Sequence, residues 1–239
     1  MIRILKRDAL LLGVDTCGPS GSIALARVTD EGLTVVGEAQ LAGGEYAASL
    51  VLAIADLLDG AGVSVGDLAG VVAVAGPGSF TGIRIGLAAV KAIAEVVSIP
   101  VVAVSRLALL ADSAGASCAV LDAHRGQFYC GMYSEGEVRE MLLTAGEINA
   151  MGGLKGRVAV CEETVAQLLE ELFGEPEFHP GDEDLSPGAP GLIRVEAPTA
   201  AAALRYSLSK WRAGEFVDVA SLDGYYLRGA DAKVSARLG

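Results

Sequence analysis

The chain has 239 residues, 52% of them hydrophobic and 20% charged, with 18 Lys and Arg against 30 Asp and Glu, a net charge of −12. That composition supports one larger domain or two smaller units with true cores and excludes a disordered chain. The acidic surface disfavours direct, unaided binding to nucleic acid, because the basic clusters are small: Arg3, Lys6 and Arg7 at one end, Arg228, Lys233 and Arg237 at the other.

The opening MIRILKRDALLLGVD has a basic start, but its apolar stretch at 9–14 is short for a signal peptide and runs into Asp15, so it reads as a first strand. No run reaches the length of a membrane span. Cys17, Cys118, Cys130 and Cys161 are widely spaced without a CxxC, and read as small buried hydrophobes in a reducing compartment. The expected location is the cytoplasm, with no membrane partner.

Three short apolar runs at 10–15, 22–28 and 33–39 predict strands, punctuated by Gly, Pro and Asp turns. Helical spacing at 47–58, a strand at 68–75, a helix from the following glycine turn to about Val97 and a strand at 100–105 come next. Strands at 118–123, 127–133 and 138–143, a strand at 157–161 and a helix at 162–173 then repeat the order. The segment 174–198 carries five prolines and Asp182, Glu183 and Asp184, and reads as an exposed loop. One long helix over 198–213 is expected after it. Each half opens with an apolar strand ending in aspartate, Asp15 and Asp122. The βββαβα pattern, occurring twice, predicts an α/β, two-lobed fold of the kind shared by actin, sugar kinases and the Hsp70 ATPase, with ribonuclease H-like units. The expected lobes are 1–104, bearing dimerisation helices, and 105–239, with the last helix packing back toward the first lobe. Topology of this kind says nothing about chemistry.

The stretch GPGSFTGIRIG at 76–86 follows a strand and opens a helix, as phosphate-binding turns do. It lacks the lysine of a P-loop, Gly82 being followed by Ile83 and Arg84. Thr81 stands where a dinucleotide fingerprint needs glycine, and the next strand ends in Ser105-Arg106 without an acid. A tight turn remains, with Ser79 or Thr81 as cap and Gly76 and Gly78 free to take positive φ. An anion at the helix start is the alternative.

The helix it opens has a narrow polar stripe, Arg84, Lys91 and Glu95, while Gly78, Gly82 and Gly86 recur every fourth residue beside Ala89. Small residues at that spacing admit close approach of a second helix. The preceding helix is also broadly apolar (Leu50, Val51, Ile54, Leu57, Leu58). Either the pair is buried within its own lobe or it forms a subunit interface. The interface reading is carried forward, with Leu50, Ile54, Leu57, Gly78, Gly82, Ile83, Gly86, Ala89, Val90 and Ile93 as contact residues.

Catalytic signatures are missing. His124 and His179 are the only histidines, with no HxxxH or HExxH to hold a metal and no GxSxG elbow. No catalytic residue, metal ligand or cofactor is expected. Asp15 and Thr16 are the weak candidates for a nucleotide, because an aspartate ends the first strand in ATPases of this architecture.

The stretches GPGSFTGIRIGLAAVKAIA, Val14-Asp15-Thr16-Cys17, Asp122-Ala123-His124-Arg125-Gly126 and Tyr226-Leu227-Arg228 resemble the TsaB (YeaZ) family, across nearly the whole chain. The resemblance implies a non-catalytic subunit of the bacterial machinery that threonylcarbamoylates the adenosine beside the anticodon of tRNA. It implies a heterodimer with the catalytic paralogue TsaD, a further ATPase partner TsaE, a homodimer when alone, and tRNA contact only through the complex. An ATP-binding kinase or ATPase of the same fold is the competing reading; a glycoprotease-like metallopeptidase is disfavoured by the histidine count. The family's polar, histidine-containing stretch before the first helix is here Gly43-Gly44-Glu45-Tyr46, which leaves the details of partner contact open.

Overall fold

The computed structural model describes residues 8–134, 136–173 and 191–227. These fall into two compact units, 8–106 with Pro198–Tyr225, and 107–197 with 226–227. The terminal basic clusters, His179 and the acidic stretch at 182–184 lie outside the described residues.

In the first unit, β1 (Ala9–Asp15), β2 (Gly21–Thr29) and β3 (Gly32–Leu41) form an antiparallel meander. Then follow α1 (Tyr46–Gly60), β4 (Leu68–Val74), α2 (Phe80–Val97) and β5 (Val101–Val104). The sheet order is β3-β2-β1-β4-β5, with β4 and β5 parallel to β1. β1, β4 and β5 are unbroken apolar runs, as strands covered on both faces require, whereas β3 alternates as an edge strand does.

Side-chain parity fixes what covers each face. Gly13 opposes Ala24, which shares a face with Ser22; Ser22 Oγ accepts the Ala200 N–H at 2.8 Å, and a Cβ on Gly13 would lie 2.9 Å from Leu204. That face therefore carries α6 (Ala200–Tyr206). It also carries α7 (Leu208–Ala213), whose Trp211 lies against Gly70, the register partner of Leu11. The opposite face carries α1 and α2: Gly37, the partner of Leu25, sits against Leu57, and Gly21 against Tyr46.

The second unit repeats this plan. After α3 (Arg106–Ala114) come β6 (Cys118–Asp122), β7 (Gln127–Ser134), β8 (Glu137–Thr144), α4 (Ala145–Ala150), β9 (Arg157–Val160), α5 (Glu163–Phe173) and β10 (Gly191–Arg194). Its order, β10-β9-β6-β7-β8, is the first sheet's topology again. The core is built by Val120, Cys130, Ile148, Val160, Val165 and Leu169. The duplication read from the sequence is present strand for strand.

Four local expectations change. The segment read as a loop over 174–198 contains β10, which pairs in parallel with β9 through the short apolar run Leu192-Ile193. Helix α3 was not anticipated, and neither was α4, although Thr144 and Glu147 form a capping box that announces it. The single helix expected over 198–213 is two. Ser207, between them, donates its hydroxyl to the Ala203 carbonyl at 2.6 Å, a back-bond that competes with regular helix continuation.

Candidate partner interface

The glycine turn is a clamp on the end of β1. Gly76 has φ 116°, Ser79 is the N-cap of α2, and its Oγ accepts the Gly82 N–H at 3.2 Å. The Ser79 N–H is spent on the Cys17 carbonyl at 2.8 Å. Thr16 donates its hydroxyl to the Gly82 carbonyl at 2.7 Å, fully buried, and Tyr46 donates to the Gly18 carbonyl at 3.0 Å. The Ser79 and Gly82 N–H groups and the Thr16 hydroxyl are therefore engaged by the chain itself.

Asp15 is buried. Its Oδ1 accepts the Cys17 N–H at 2.8 Å. Burial raises its pKa, and the charge of the buried Arg106 counteracts that shift. Cys17 donates its thiol to the Val74 carbonyl, and burial pushes its pKa well up, so it is an inert core thiol. Asp15 and Thr16 thus lie together, as the sequence placed them, but Thr16 has no free hydroxyl proton for a ligand.

The small-residue stripe does not face outward. A Cβ on Gly82 would lie 2.0 Å from the Thr16 carbonyl oxygen, one on Gly86 2.2 Å from Thr16 Oγ1, and one on Gly78 2.2 Å from the Cys17 carbonyl oxygen. The glycines admit β1 against α2, and not a second subunit. Leu50, Ile54, Ile83 and Val90 are likewise buried in the chain's own core, each 5% exposed or less. As contact residues these seven are corrected: their side chains, or the space above them, are already filled. Leu57, Ala89 and Ile93 are half-buried.

What the helices leave uncovered is their other side. Val51 is 67% exposed and Leu52 66% on α1; Val96 is 82% and Phe80 53% on α2. Ala55, Ala88 and Ala92 are exposed with them, and Arg84 lies over the Phe80 ring, 3.8 Å from its centroid. The signal was available in the helical phase. Ala88 and Ala92 follow Arg84 at four-residue steps, on the side marked by the polar stripe, whereas Ile83, Leu87, Val90 and Ala94 mark the inward side.

Fold and turn together define a duplicated α/β protein of the actin and sugar-kinase architecture. Residues 40–168 match the model of the family described as "TsaD: tRNA N6-adenosine threonylcarbamoyltransferase". The chain belongs to this family, in its TsaB (YeaZ) branch. It is 34% identical over 130 residues to the tRNA threonylcarbamoyladenosine biosynthesis protein TsaB of Bacillus subtilis, a match covering 52% of this chain and 54% of that protein. The TsaB of Escherichia coli is 32% identical over 133 residues, covering 53% and 56%. The chain thus spans about half the length of the curated relatives it matches. Among solved structures, YeaZ from Pseudomonas aeruginosa superposes with a TM-score of 0.67 at 25% identity, over 92% of this chain and 100% of that one. Among the described residues no helix is long and apolar enough to cross a membrane.

Proposed function

We propose that this chain is a non-catalytic subunit in the threonylcarbamoylation of the adenosine beside the tRNA anticodon, and that it binds and supports a catalytic TsaD-like paralogue. The outward side of α1 and α2 is the docking face, in the paralogue complex and in a homodimer formed without it. A TsaE-like ATPase joins the pair.

The observation that carries this reading is the exposed apolar side of two adjacent helices, with Val51, Leu52 and Val96 each at least 66% exposed. Large apolar side chains exposed together on two adjacent helices are the kind of surface that a partner covers. The Phe80–Arg84 pair adds an aromatic and an arginine, the residue types that anchor protein interfaces. The committed Thr16 hydroxyl and Ser79 N–H weigh against a nucleotide at the β1 turn. Reconstitution tests the proposal: the chain should raise tRNA modification by its TsaD-like and TsaE-like partners. Unchanged modification when the chain is omitted would overturn it.

A further inference from the structure

The turn joining β6 to β7 is unusual for its residue types. His124, Arg125 and Gly126 have φ of 61°, 58° and 73°, three left-handed residues in succession, of which only the glycine adopts that conformation without strain. The turn is held by its surroundings: Ala123 donates its N–H to the Gln127 carbonyl at 3.0 Å, and Gln127 donates to the His124 carbonyl at 3.2 Å. Asp122, whose own N–H is taken by Glu162 Oε2 at 2.6 Å, accepts the His124 N–H at 2.7 Å through Oδ1. Its Oδ2 lies 3.1 Å from His124 Nδ1 and takes that proton, which fixes the ring on a side chain 85% exposed and leaves Nε2 to the solvent. Strain kept in place this way calls for a functional reason.

Charge supplies the reason. In a chain of net charge −12, Arg27, Arg139, Arg194 and Lys210 are paired with carboxylates. Lys91, Arg157 and Arg212 donate to backbone carbonyls, while Lys155 and Arg205 are exposed with neither kind of partner among the described residues. Arg125 is exposed and has no acceptor among the described residues. The residue before it, His124, carries an imidazole oriented by Asp122, so consecutive turn residues offer an exposed arginine and a ring whose Nε2 can accept. That pairing suits a ribose–phosphate backbone: the arginine donates to the phosphate oxygens and the imidazole Nε2 accepts from a ribose hydroxyl.

We infer that the His124–Arg125 turn contacts the RNA backbone, making this subunit a direct participant in holding tRNA. The inference rests on the proposed role in tRNA modification for its choice of polyanion. The test is fluorescence anisotropy with unmodified tRNA at several salt concentrations, on the full chain alone and with its TsaD-like paralogue. Arg125→Gly and His124→Asn are the variants, both compatible with positive φ and therefore with the fold. Losing one phosphate contact should lower the salt slope by about one and weaken binding roughly eightfold at 0.1 M salt, taking its contribution as nil near 1 M. His124→Asn should also weaken binding. Wild-type slopes and affinities in both variants, or no RNA binding by the wild-type chain in either form, would overturn the inference. The modification assay is scored separately: stimulation that Arg125→Gly leaves intact, with RNA binding unchanged, removes this inference only, whereas no stimulation by the wild-type chain removes the functional reading.

Discussion

Gly82→Ala distinguishes a glycine that seats the chain's own strand from one that seats a partner. The new Cβ would lie 2.0 Å from the Thr16 carbonyl oxygen and 3.2 Å from a Tyr46 ring carbon, where real Cβ contacts stay above 3.0 Å. A backbone oxygen cannot rotate away, so α2 must withdraw from β1 by about 1 Å and the buried Thr16–Gly82 hydrogen bond is lost. Overpacking costs about 1–3 kcal/mol. The orphaned hydroxyl costs about 1–3 kcal/mol more. Alanine's helix propensity returns at most about 1 kcal/mol, which leaves a net loss of about 3 kcal/mol. The assay is urea unfolding followed by the fluorescence of Trp211, the single tryptophan, buried in the first unit. The midpoint should fall by about 1–2 M, from typical slopes for a unit of this size. An unchanged or higher midpoint, as propensity alone would give, would refute the reasoning. Loss of association without loss of stability would return the glycine stripe to the interface.

Other outcomes follow from the same contacts. Arg106→Met leaves Asp15 buried without its counter-charge and should cost about 3 kcal/mol at neutral pH, read by the same unfolding curve. Because the folded pKa of Asp15 lies above its unfolded value of 3.8, the penalty is full above the folded pKa and is relieved as pH falls through it. The variant's deficit should therefore shrink on acidification, and a deficit constant with pH would contradict this. Tyr46→Phe removes the hydrogen bond to the Gly18 carbonyl and should lower stability by about 1 kcal/mol, checked by urea titration. In native protein, a thiol reagent should modify at most Cys161 quickly. Cys17 and Cys118 are buried with raised pKa values and Cys130 is pushed up to about 12, so they should react only on unfolding.

Much of the fold was legible because its signals are local. Val71 to Ala75 running into Gly-Pro-Gly, and Val120-Leu121-Asp122 running into a turn, mark strand ends by residue type alone, and their recurrence exposes the duplication. Short elements were harder: α3 is nine residues starting directly after Ser105, which sits at the end of the β5 run, and β10 is four residues beside a proline-rich segment. For the candidate site, helical spacing grouped Gly82 and Gly86 on one side of α2, both against Thr16, whereas Gly78 lies in the turn before the helix, against Cys17. The spacing could not say what fills that side. The answer, Thr16, lies 66 residues from Gly82 in sequence and arrives only through the parallel pairing of β1 with β4. Once Thr16 occupies the groove, the interface must turn to Val51, Leu52, Ala88, Ala92 and Val96. Those positions look unremarkable in a helix that is apolar nearly all round.

The most direct test of the docking face is sedimentation velocity of the chain, alone and mixed with its TsaD-like paralogue, for wild type and for Val51→Glu combined with Val96→Glu. Both side chains are more than 60% exposed, so the fold should survive, which circular dichroism checks. Desolvating each valine at an interface contributes about 1.5 kcal/mol or more, so burying two charges there instead should weaken association by at least a hundredfold. The account predicts a wild-type dimer that exchanges into a heterodimer with the paralogue, and a folded variant that stays monomeric in both experiments. A variant that pairs as tightly as wild type, or a wild-type chain that remains a monomer with the paralogue present, would contradict it.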